Sequence, residues 1–448
     1  MKKLFGTDGI RGVAGQPPLD APTVYAIGLA LAHTLAAASL SPRILLGMDT
    51  RESSDWIAAT LTAGLMAGGA SVESAGVITT PAVAFLTHTR GFAAGVVISA
   101  SHNPWQDNGI KLFGPDGYKL PDAVELAIEE EIFRQLGGLS MTPQQIVPPA
   151  VNEADRAEYV RFLLVAVPGL SLDGRRIVID CANGAASSVA PQLFADLGGE
   201  VIITHASPDG RNINEACGAL HPEVVAAQVR HHQASMGITF DGDADRALFA
   251  DENGCVINGD AVLLLAGRDL QDRGLLTNST VVATTMSNMG LEAALKRSGI
   301  QMLRAAVGDK YVLEQMIATG AALGGEQSGH IIFTGQSTTG DGLLTALLLL
   351  DIVHRSGRSL AELVADLKVF PQVIVNVKVR EKKPLESIPT VAAAIRAAET
   401  ELADSGRVVI RYSGTEALAR VMIEAESEPL MRHHADTIAA AIRTELGI

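Results

Sequence analysis

The sequence predicts a multi-domain α/β chain, with three related α/β units followed by a smaller α+β unit. Three observations carry this expectation. The chain has 448 residues, enough for roughly three or four domains of ordinary size. Apolar strand-length runs ending in Gly-containing turns recur between segments of helical spacing from Arg43 to Val353. Beyond Pro371 the pattern changes to alternating apolar and polar residues, the mark of an antiparallel sheet with one wetted face.

The elements follow in order. RILLGM (Arg43–Met48) is a short strand, helical spacing runs from Trp56 to Met66, and VESAGVI and GVVISA repeat the strand theme, which suggests a parallel sheet with helices on its faces. After a helix near Ala123 to Gln135, the stretch GGLSMTPQQIVPPAV is rich in Gly, Pro and Gln and marks a boundary at about residue 150. A second unit follows the helix around Arg156 to Val167, with strands in RRIVIDCANG, EVIITHA and GITFDGD. A third starts near Cys255 with TVVATTM, QMLRAAVG and LGGEQSGHIIF, then an apolar helix from Gly342 to Val353. QVIVNVKVR, RVVIRYSG and ARVMIEAE supply the closing antiparallel sheet. The expected domains are therefore 1–150, 151–254, 255–368 and 369–448. The first three each have an apolar strand ending in a polar loop, a weak internal repeat of pattern rather than identity.

Composition narrows the function. With 47% hydrophobic and 19% charged residues the chain is globular, and its formal charge of −15 argues against nucleic-acid binding, which needs concentrated Lys and Arg. A phosphate ligand would need a local basic pocket. Cys181, Cys217 and Cys255 are too few and too widely spaced for a disulfide framework or a CxxC metal site, so they read as reduced thiols of a cytoplasmic protein. MKKLFGTDGIRG lacks the apolar run of a signal peptide. Ala21 to Pro42 has no Asp, Glu, Lys or Arg, but its Ala content, His33, an Asp20 cap and Pro22 in the first turn favour a helix buried between protein layers over a membrane span. Glu129 to Glu131 reads as a solvated helix face, and the pairs His231/His232 and His433/His434 lie in polar helical stretches without ligand spacing.

In open α/β sheets ligands bind beyond the carboxyl ends of strands, so the loops there are the candidates for chemistry. The first runs through Ser99, Ala100, Ser101, His102, Asn103 and Pro104, with Lys111 further on. Pro104 biases Asn103 towards extended or turn backbone, in keeping with a strand that ends near the serine. The second is Asp241-Gly242-Asp243-Ala244-Asp245-Arg246. Carboxylates at alternate positions repel unless a cation neutralises them, and Mg²⁺ favours oxygen ligands. An EF-hand does not fit, because Ala247 to Ala250 supply apolar side chains where further ligands are needed. In the third loop, GGEQSGH, Glu326 and Ser328 suit sugar hydroxyls, one accepting and the other accepting and donating. In the fourth, RYSGTEALAR, Arg411, Ser413, Gly414, Thr415 and Arg420 could surround a phosphate. FGTDGIRG adds Thr7, Asp8, Gly9 and Arg11, a glycine-flanked set with a cation.

FGTDGIRG, SASHNP with GIK, DGDADR, GEQSGH and RYSGTE, in this order and over essentially the whole chain, resemble the α-D-phosphohexomutases. SASHNP and GEQSGH look most like the bacterial phosphoglucosamine mutase branch. The resemblance implies four domains around a central cleft. It makes Ser101 a phosphoserine sharing Mg²⁺ with Asp241, Asp243 and Asp245, and sets Arg246, Lys111 and Arg11 against the phosphoryl charge. Glu326 and Ser328 would hold sugar hydroxyls, and Arg411, Ser413, Gly414, Thr415 and Arg420 the phosphate that is not reacting. His102, Lys111 and His330 are all candidates for the general base. The implied ligands are a phosphosugar and a sugar bisphosphate, the implied assembly a homodimer, and the implied reaction the interconversion of glucosamine 6- and 1-phosphates, with other hexose phosphates as the alternative and a non-catalytic phosphosugar-binding protein as a more distant one. The chain departs from the family in having Ala417 and Ala419 where a proline and a bulkier residue are usual. The phosphate loop is therefore expected to be looser, with substrate affinity the property most affected.

Overall fold

A computed structural model of the chain describes residues 3–36, 42–137, 150–412 and 417–448. Four sheets succeed one another along the sequence. The first contains β1 (Ile10–Val13), β2 (Arg43–Met48), β3 (Ser71–Val77), β4 (Ala94–Ile98) and β5 (Asp107–Phe113), in spatial order β1-β5-β4-β2-β3. The second contains β6 (Arg176–Asp180), β7 (Glu200–Thr204), β8 (Met236–Phe240), β9 (Ala247–Ala250) and β10 (Val256–Ile257), in order β10-β9-β8-β6-β7. The third contains β11 (Thr280–Thr284), β12 (Gln301–Ala305), β13 (Leu323–Gly325) and β14 (Ile331–Phe333), in order β12-β11-β13-β14. The last is β15 (Gln372–Lys378), β16 (Gly406–Tyr412) and β17 (Leu418–Ala425), fully antiparallel in order β15-β17-β16.

The weak sequence repeat is a structural one. β2 pairs in parallel with β3 and β4, and β5 returns antiparallel along β4. β6, β7, β8 and β9 repeat this plan, and in the third sheet β11 and β13 are parallel while β14 returns antiparallel along β13. The sheets are thus mixed, where the alternation of strands and helices suggested parallel ones. The returning strands escape a reading of periodicity because β9 and β14 are very short and β5 opens on Asp107-Asn108-Gly109. The loops before them are too short for a parallel crossover, which needs about a dozen residues or more. Each polar loop singled out in the first three units is therefore the tip of an antiparallel connection, anchored in a sheet at both ends.

The apolar stretch after Asp20 forms the interior helix expected of it, Ala21–Ala36, and Thr23 N–H donates to Asp20 Oδ1 at 2.9 Å. It crosses the helix Ser54–Ala67 where a Cβ on Gly28 would stand 2.3 Å from the Leu61 carbonyl oxygen and one on Gly64 2.1 Å from that of Tyr25. Only glycine at both positions permits so close a backbone approach. Among the described residues no helix is long and apolar enough to cross a membrane. Glu129 corrects an expectation: it is buried, not solvated, because its carboxylate accepts the backbone N–H groups of Lys3 and Leu4 at 2.7 Å each and of Phe5 at 3.3 Å. Burial alone would raise its pKa, but these donors hold it below the usual carboxylate range.

Contacts divide the chain into two compact units, residues 1–285 with 303–364 and residues 286–302 with 365–448. In the second, a core of Val377, Val421, Ile423, Ile438 and Ile442 lies between the last sheet and its helices. Residues 286–302 join it through Asn288, whose side chain donates to Phe370 O at 3.0 Å and accepts from Phe370 N–H at 2.8 Å. Met289 N–H donates to Glu424 Oε1 at 2.8 Å in the same unit. His434, in the helix Glu428–Leu446, is buried with Nε2 3.2 Å from Glu401 Oε2.

Candidate active site

Three of the repeated loops meet. Ser101, in the connection from β4 to β5, is buried and donates from Oγ to Asp241 Oδ2 at 2.5 Å, with His102 Nδ1 at 3.3 Å. Its φ of 52° lies in the left-handed region, which costs an L-residue on the order of 1 kcal/mol. The connection from β8 to β9 brings Asp241 here because Gly242 has no side chain; a Cβ there would stand 2.5 Å from the Ser101 carbonyl oxygen. Two helix N-termini grip the same loop. Thr80 N–H, at the start of Thr80–Thr89, donates to Asp243 O at 3.0 Å, and Gly342 N–H, at the start of Gly342–Ser356, donates to Ala244 O at 3.0 Å. The positive ends of both helix dipoles thus face the acidic loop.

Asp241, Asp243 and Asp245 are all buried and each offers an oxygen within 4.8 Å of the others. Burial, then Asp245 and Asp243, raise the Asp241 carboxyl well above its ordinary range. For Asp245 burial is outweighed by Lys111, His330 and Arg246, and the carboxyl is held well below it. Lys111 Nζ lies 2.8 Å from Asp243 Oδ2, 3.2 Å from Asp245 Oδ2 and 3.0 Å from Asp8 Oδ2. Burial opposes the Lys111 charge, but these three carboxylates raise its pKa well above normal. These cations do not satisfy every oxygen of the three aspartates. Asp243 Oδ1 is buried and accepts no hydrogen bond, and Asp245 Oδ1 has His330 Nδ1 and Arg246 Nε only at 3.6 and 3.8 Å. An unsatisfied buried oxygen costs about 1–3 kcal/mol, so the all-oxygen set fits a hard divalent cation such as Mg²⁺.

Beside the aspartates opens a cavity of about 380 Å³, whose walls include Arg11, His102, Arg246, Asp309, Glu326 and His330. Glu326 Oε1 accepts Gly308 N–H at 3.0 Å, at the start of the helix Asp309–Thr319, and Oε2 accepts Ser328 Oγ–H at 3.2 Å. Burial first, then Arg246 and Arg11, push the His102 pKa down to about 4, so it is neutral at pH 7. At His330 burial is outweighed by Asp245, which raises its proton affinity. Gly340 N–H donates to His330 Nε2 at 3.0 Å, which leaves the ring proton of the neutral form on Nδ1.

Ser101, His102, Lys111, Arg11, Asp241, Asp243, Asp245, Arg246, Glu326, Ser328 and His330 are thus brought into one region. In the second unit Arg411, exposed, and Arg420, half-buried, are directly opposed on β16 and β17 and project from the same face of that sheet. Ser413, Gly414 and Thr415 lie outside the described residues. Reading motifs missed several groups that touch the site. Thr80 Oγ–H donates to Asp243 Oδ2 at 2.5 Å, and Lys119 bridges Asp8 to Asp309. Asp49, Arg51 and Asn214 surround the Ser101 loop. Only Asp49-Thr50-Arg51, polar residues directly after β2, carried a signal, being a strand-end loop like the others. The three cysteines are free, and Cys217 comes together with Asp180 and His205 although nothing in their spacing announces it. That Asp180 carboxylate is engaged by Ala182 N–H at 2.9 Å, Gly218 N–H at 3.0 Å and His205 Nδ1 at 3.1 Å, and burial, with Asp180 beside it, lifts the Cys217 thiol to about 12.

Known proteins share this chain's sequence and fold. The chain matches the four phosphoglucomutase/phosphomannomutase domains in order: alpha/beta/alpha domain I over residues 2–136, domain II over 157–254, domain III over 258–370 and the C-terminal domain over 374–441. It is 60% identical over 454 residues to a phosphoglucosamine mutase of Koribacter versatilis, covering 100% of this chain and 98% of that one. The fold matches a phosphoglucomutase/phosphomannomutase family protein of Burkholderia thailandensis with a TM-score of 0.79 at 24% identity, covering 100% of both chains. It also matches the N-acetylphosphoglucosamine mutase of Aspergillus fumigatus, solved with GlcNAc-6P and magnesium, with a TM-score of 0.62 at 20% identity over 99% of this chain and 96% of that one. With four family domains in sequence and a relative of such identity along its whole length, the chain belongs to the phosphoglucomutase/phosphomannomutase family, the α-D-phosphohexomutases.

Proposed function

We propose that this protein interconverts glucosamine 6-phosphate and glucosamine 1-phosphate through a phosphorylated Ser101 and a sugar bisphosphate, supplying amino-sugar phosphate for UDP-N-acetylglucosamine and so for cell-wall precursors. The observation that carries the reading is the contact between Ser101 Oγ and the aspartate loop, 2.5 Å from Asp241, at the edge of a sugar-sized cavity. The mutase named for the Koribacter relative, 60% identical, favours glucosamine phosphate over other hexose phosphates.

Ser101 and the three aspartates would hold Mg²⁺, which supplies charge neutralisation at the phosphoryl oxygens. Arg246, Lys111 and Arg11 add fixed positive charge around a phosphoserine that carries about −1.5 to −2 at neutral pH. In the forward step a sugar hydroxyl attacks the phosphorus, a new O–P bond forms and the Ser101 Oγ–P bond breaks. Of the three candidates for the base, His102 is best suited. It is neutral at pH 7, lines the cavity and lies 3.3 Å from Ser101 Oγ, so it can take the hydroxyl proton and pass it to the departing serine oxygen. Lys111 holds its proton too firmly, and His330 is drawn towards its charged form by Asp245. Glu326 and Ser328 hold the sugar hydroxyls as the bisphosphate turns over and returns its other phosphate to Ser101. Arg411, Ser413, Gly414, Thr415 and Arg420 remain the proposed ligands of the non-reacting phosphate. The proposed domains are 1–150, 151–254, 255–368 and 369–448, each carrying at least one of these loops.

The test is conversion of glucosamine 6-phosphate to the 1-phosphate with Mg²⁺ and a trace of sugar bisphosphate, for the wild type and Ser101→Ala. Mg²⁺-dependent turnover that collapses in the variant is expected. No turnover by a folded, phosphorylated wild type would overturn the assignment, and equal turnover of glucose, mannose and glucosamine phosphates would widen it.

A further inference from the structure

We propose that Asp49, Arg51 and Asn214 are positioning residues for phosphoryl transfer, gripping the main chain on both sides of Ser101 so that its left-handed backbone aims Oγ at Asp241. The proposal rests on the role assigned to Ser101 above. The Arg51 side chain is fully buried and spends all of its N–H donors locally. Nε donates to Asp49 Oδ2 at 2.8 Å, and Nη2 donates to Ser101 O at 3.0 Å and Asn103 O at 2.8 Å. Nη1 donates to Asp107 O at 3.0 Å and also to Pro104 O. Asn214, from the second repeat, donates from Nδ2 to the same two carbonyls that Nη2 holds, Ser101 O at 3.0 Å and Asn103 O at 3.2 Å.

The other side of Ser101 is held through Asp49. Its Oδ2 accepts Ser99 Oγ–H at 2.7 Å, and Ser99 Oγ in turn accepts Ser101 N–H at 2.9 Å. Asp49 Oδ1 is tied down by Arg51 N–H and Ser54 Oγ–H, both at 3.0 Å. One ion pair therefore reaches the amide and the carbonyl of the same residue. A buried ion pair is by itself weak evidence of a contribution to stability, and an apolar pair would fill the space as well. What an apolar pair could not do is direct one planar fork at four carbonyls of a single loop. Ser101, not glycine, occupies a backbone conformation that L-residues adopt only when the surroundings over-determine it, and these contacts supply that constraint. Asn214 extends the grip across the seam on which Ser101 meets the aspartates, so the nucleophile is set relative to the loop that supplies its metal ligands.

The experiment compares wild type, Ser99→Ala, Asn214→Ala and Arg51→Lys by steady-state kinetics, thermal melting and hydrogen–deuterium exchange of residues 99–108. The expected result is a kcat lower by about 10- to 100-fold, the scale of a small misplacement of reacting groups, with KM for glucosamine 6-phosphate within about threefold of wild type. Exchange should accelerate in the loop alone, with melting near wild type for Ser99→Ala and Asn214→Ala. Should Arg51→Lys not fold, those two variants decide. Folded variants with wild-type kcat and wild-type loop exchange would overturn the proposal. A wild type without Ser101-dependent turnover of any hexose phosphate would instead sink the proposed function, while the exchange data would still decide the grip: faster exchange confined to the loop supports it and none refutes it.

Discussion

The Ser101 loop and the Glu326–His330 loop occupy the same place in two copies of one sheet plan, between the last parallel strand and the antiparallel strand that returns along it. They solve different problems. In the first, a serine is held left-handed and buried, with its amide and carbonyl both bonded by side chains. In the third repeat the left-handed position falls on Gly329, with φ of 95°, where it costs little. Glu326 and Ser328 stay half-buried on or near the cavity, bonded to one another at 3.2 Å. The same topology thus yields one loop held at both backbone groups of a buried serine and another whose Glu326 and Ser328 are half-buried and bonded to each other. A nucleophile must meet phosphorus along one line, whereas a sugar that reverses end for end must be accepted two ways.

The largest effect that would break this contrast is at the two serines. Ser101→Ala is expected to lower turnover by roughly a thousandfold or more, and Ser328→Ala by about tenfold through KM. Steady-state kinetics of both on glucosamine 6-phosphate measures the contrast, and equal losses would end it. Next is Lys111→Met, which leaves Asp8, Asp243 and Asp245 without the cation between them. A loss of about 3–5 kcal/mol in stability is expected, as for any buried pair cut on one side, and Mg²⁺ should recover part of it. Urea unfolding with Mg²⁺ and with EDTA reads both. Glu326→Gln keeps the acceptor for Gly308 N–H and lowers only the charge, so KM should rise about tenfold or less with kcat and melting little changed.

A separate effect concerns pH. Asp341 is buried under Tyr159 and caps the helix Gly342–Ser356, and burial raises its carboxyl to about 6. Because the folded protein then holds a proton that the unfolded chain releases near pH 4, this group's contribution to stability is full at low pH and is lost as pH rises from about 4 to about 6. Asp341→Asn keeps the cap without the charge. Relative to wild type it should be more stable at pH 7 by on the order of 2–3 kcal/mol at most and equal to it near pH 4, which melting curves across that range would test.

Much of the first three sheets was legible because parallel strands buried on both faces read as continuous apolar runs, as RILLGM and TVVAT do. β5, β9 and β14 were not, since strands this short or this polar leave no periodicity and exist only because a neighbour is there to pair with. Glu129 shows the same limit at a side chain: acidic helix residues look solvated until a distant backbone, here Lys3 to Phe5, presents its N–H groups. Residues 286–302, read as part of the third unit, owe their association with the C-terminal region to Asn288 and Met289, ordinary residues in the sequence.

By itself the sequence determined the chemistry: a serine, three alternating aspartates, a Glu–Ser pair and scattered cations, because reactive groups need particular atoms at particular spacings within one loop. Tertiary structure alone decided how those groups are controlled. That Lys111 sits among carboxylates, that the proton affinity of His102 is lowered while that of His330 is raised, and that Asp49, Arg51 and Asn214 close on Ser101 all depend on distances between residues far apart in the chain. Electrostatic shifts and hydrogen bonds are set by such distances and by burial, and neither is written in the spacing of a motif.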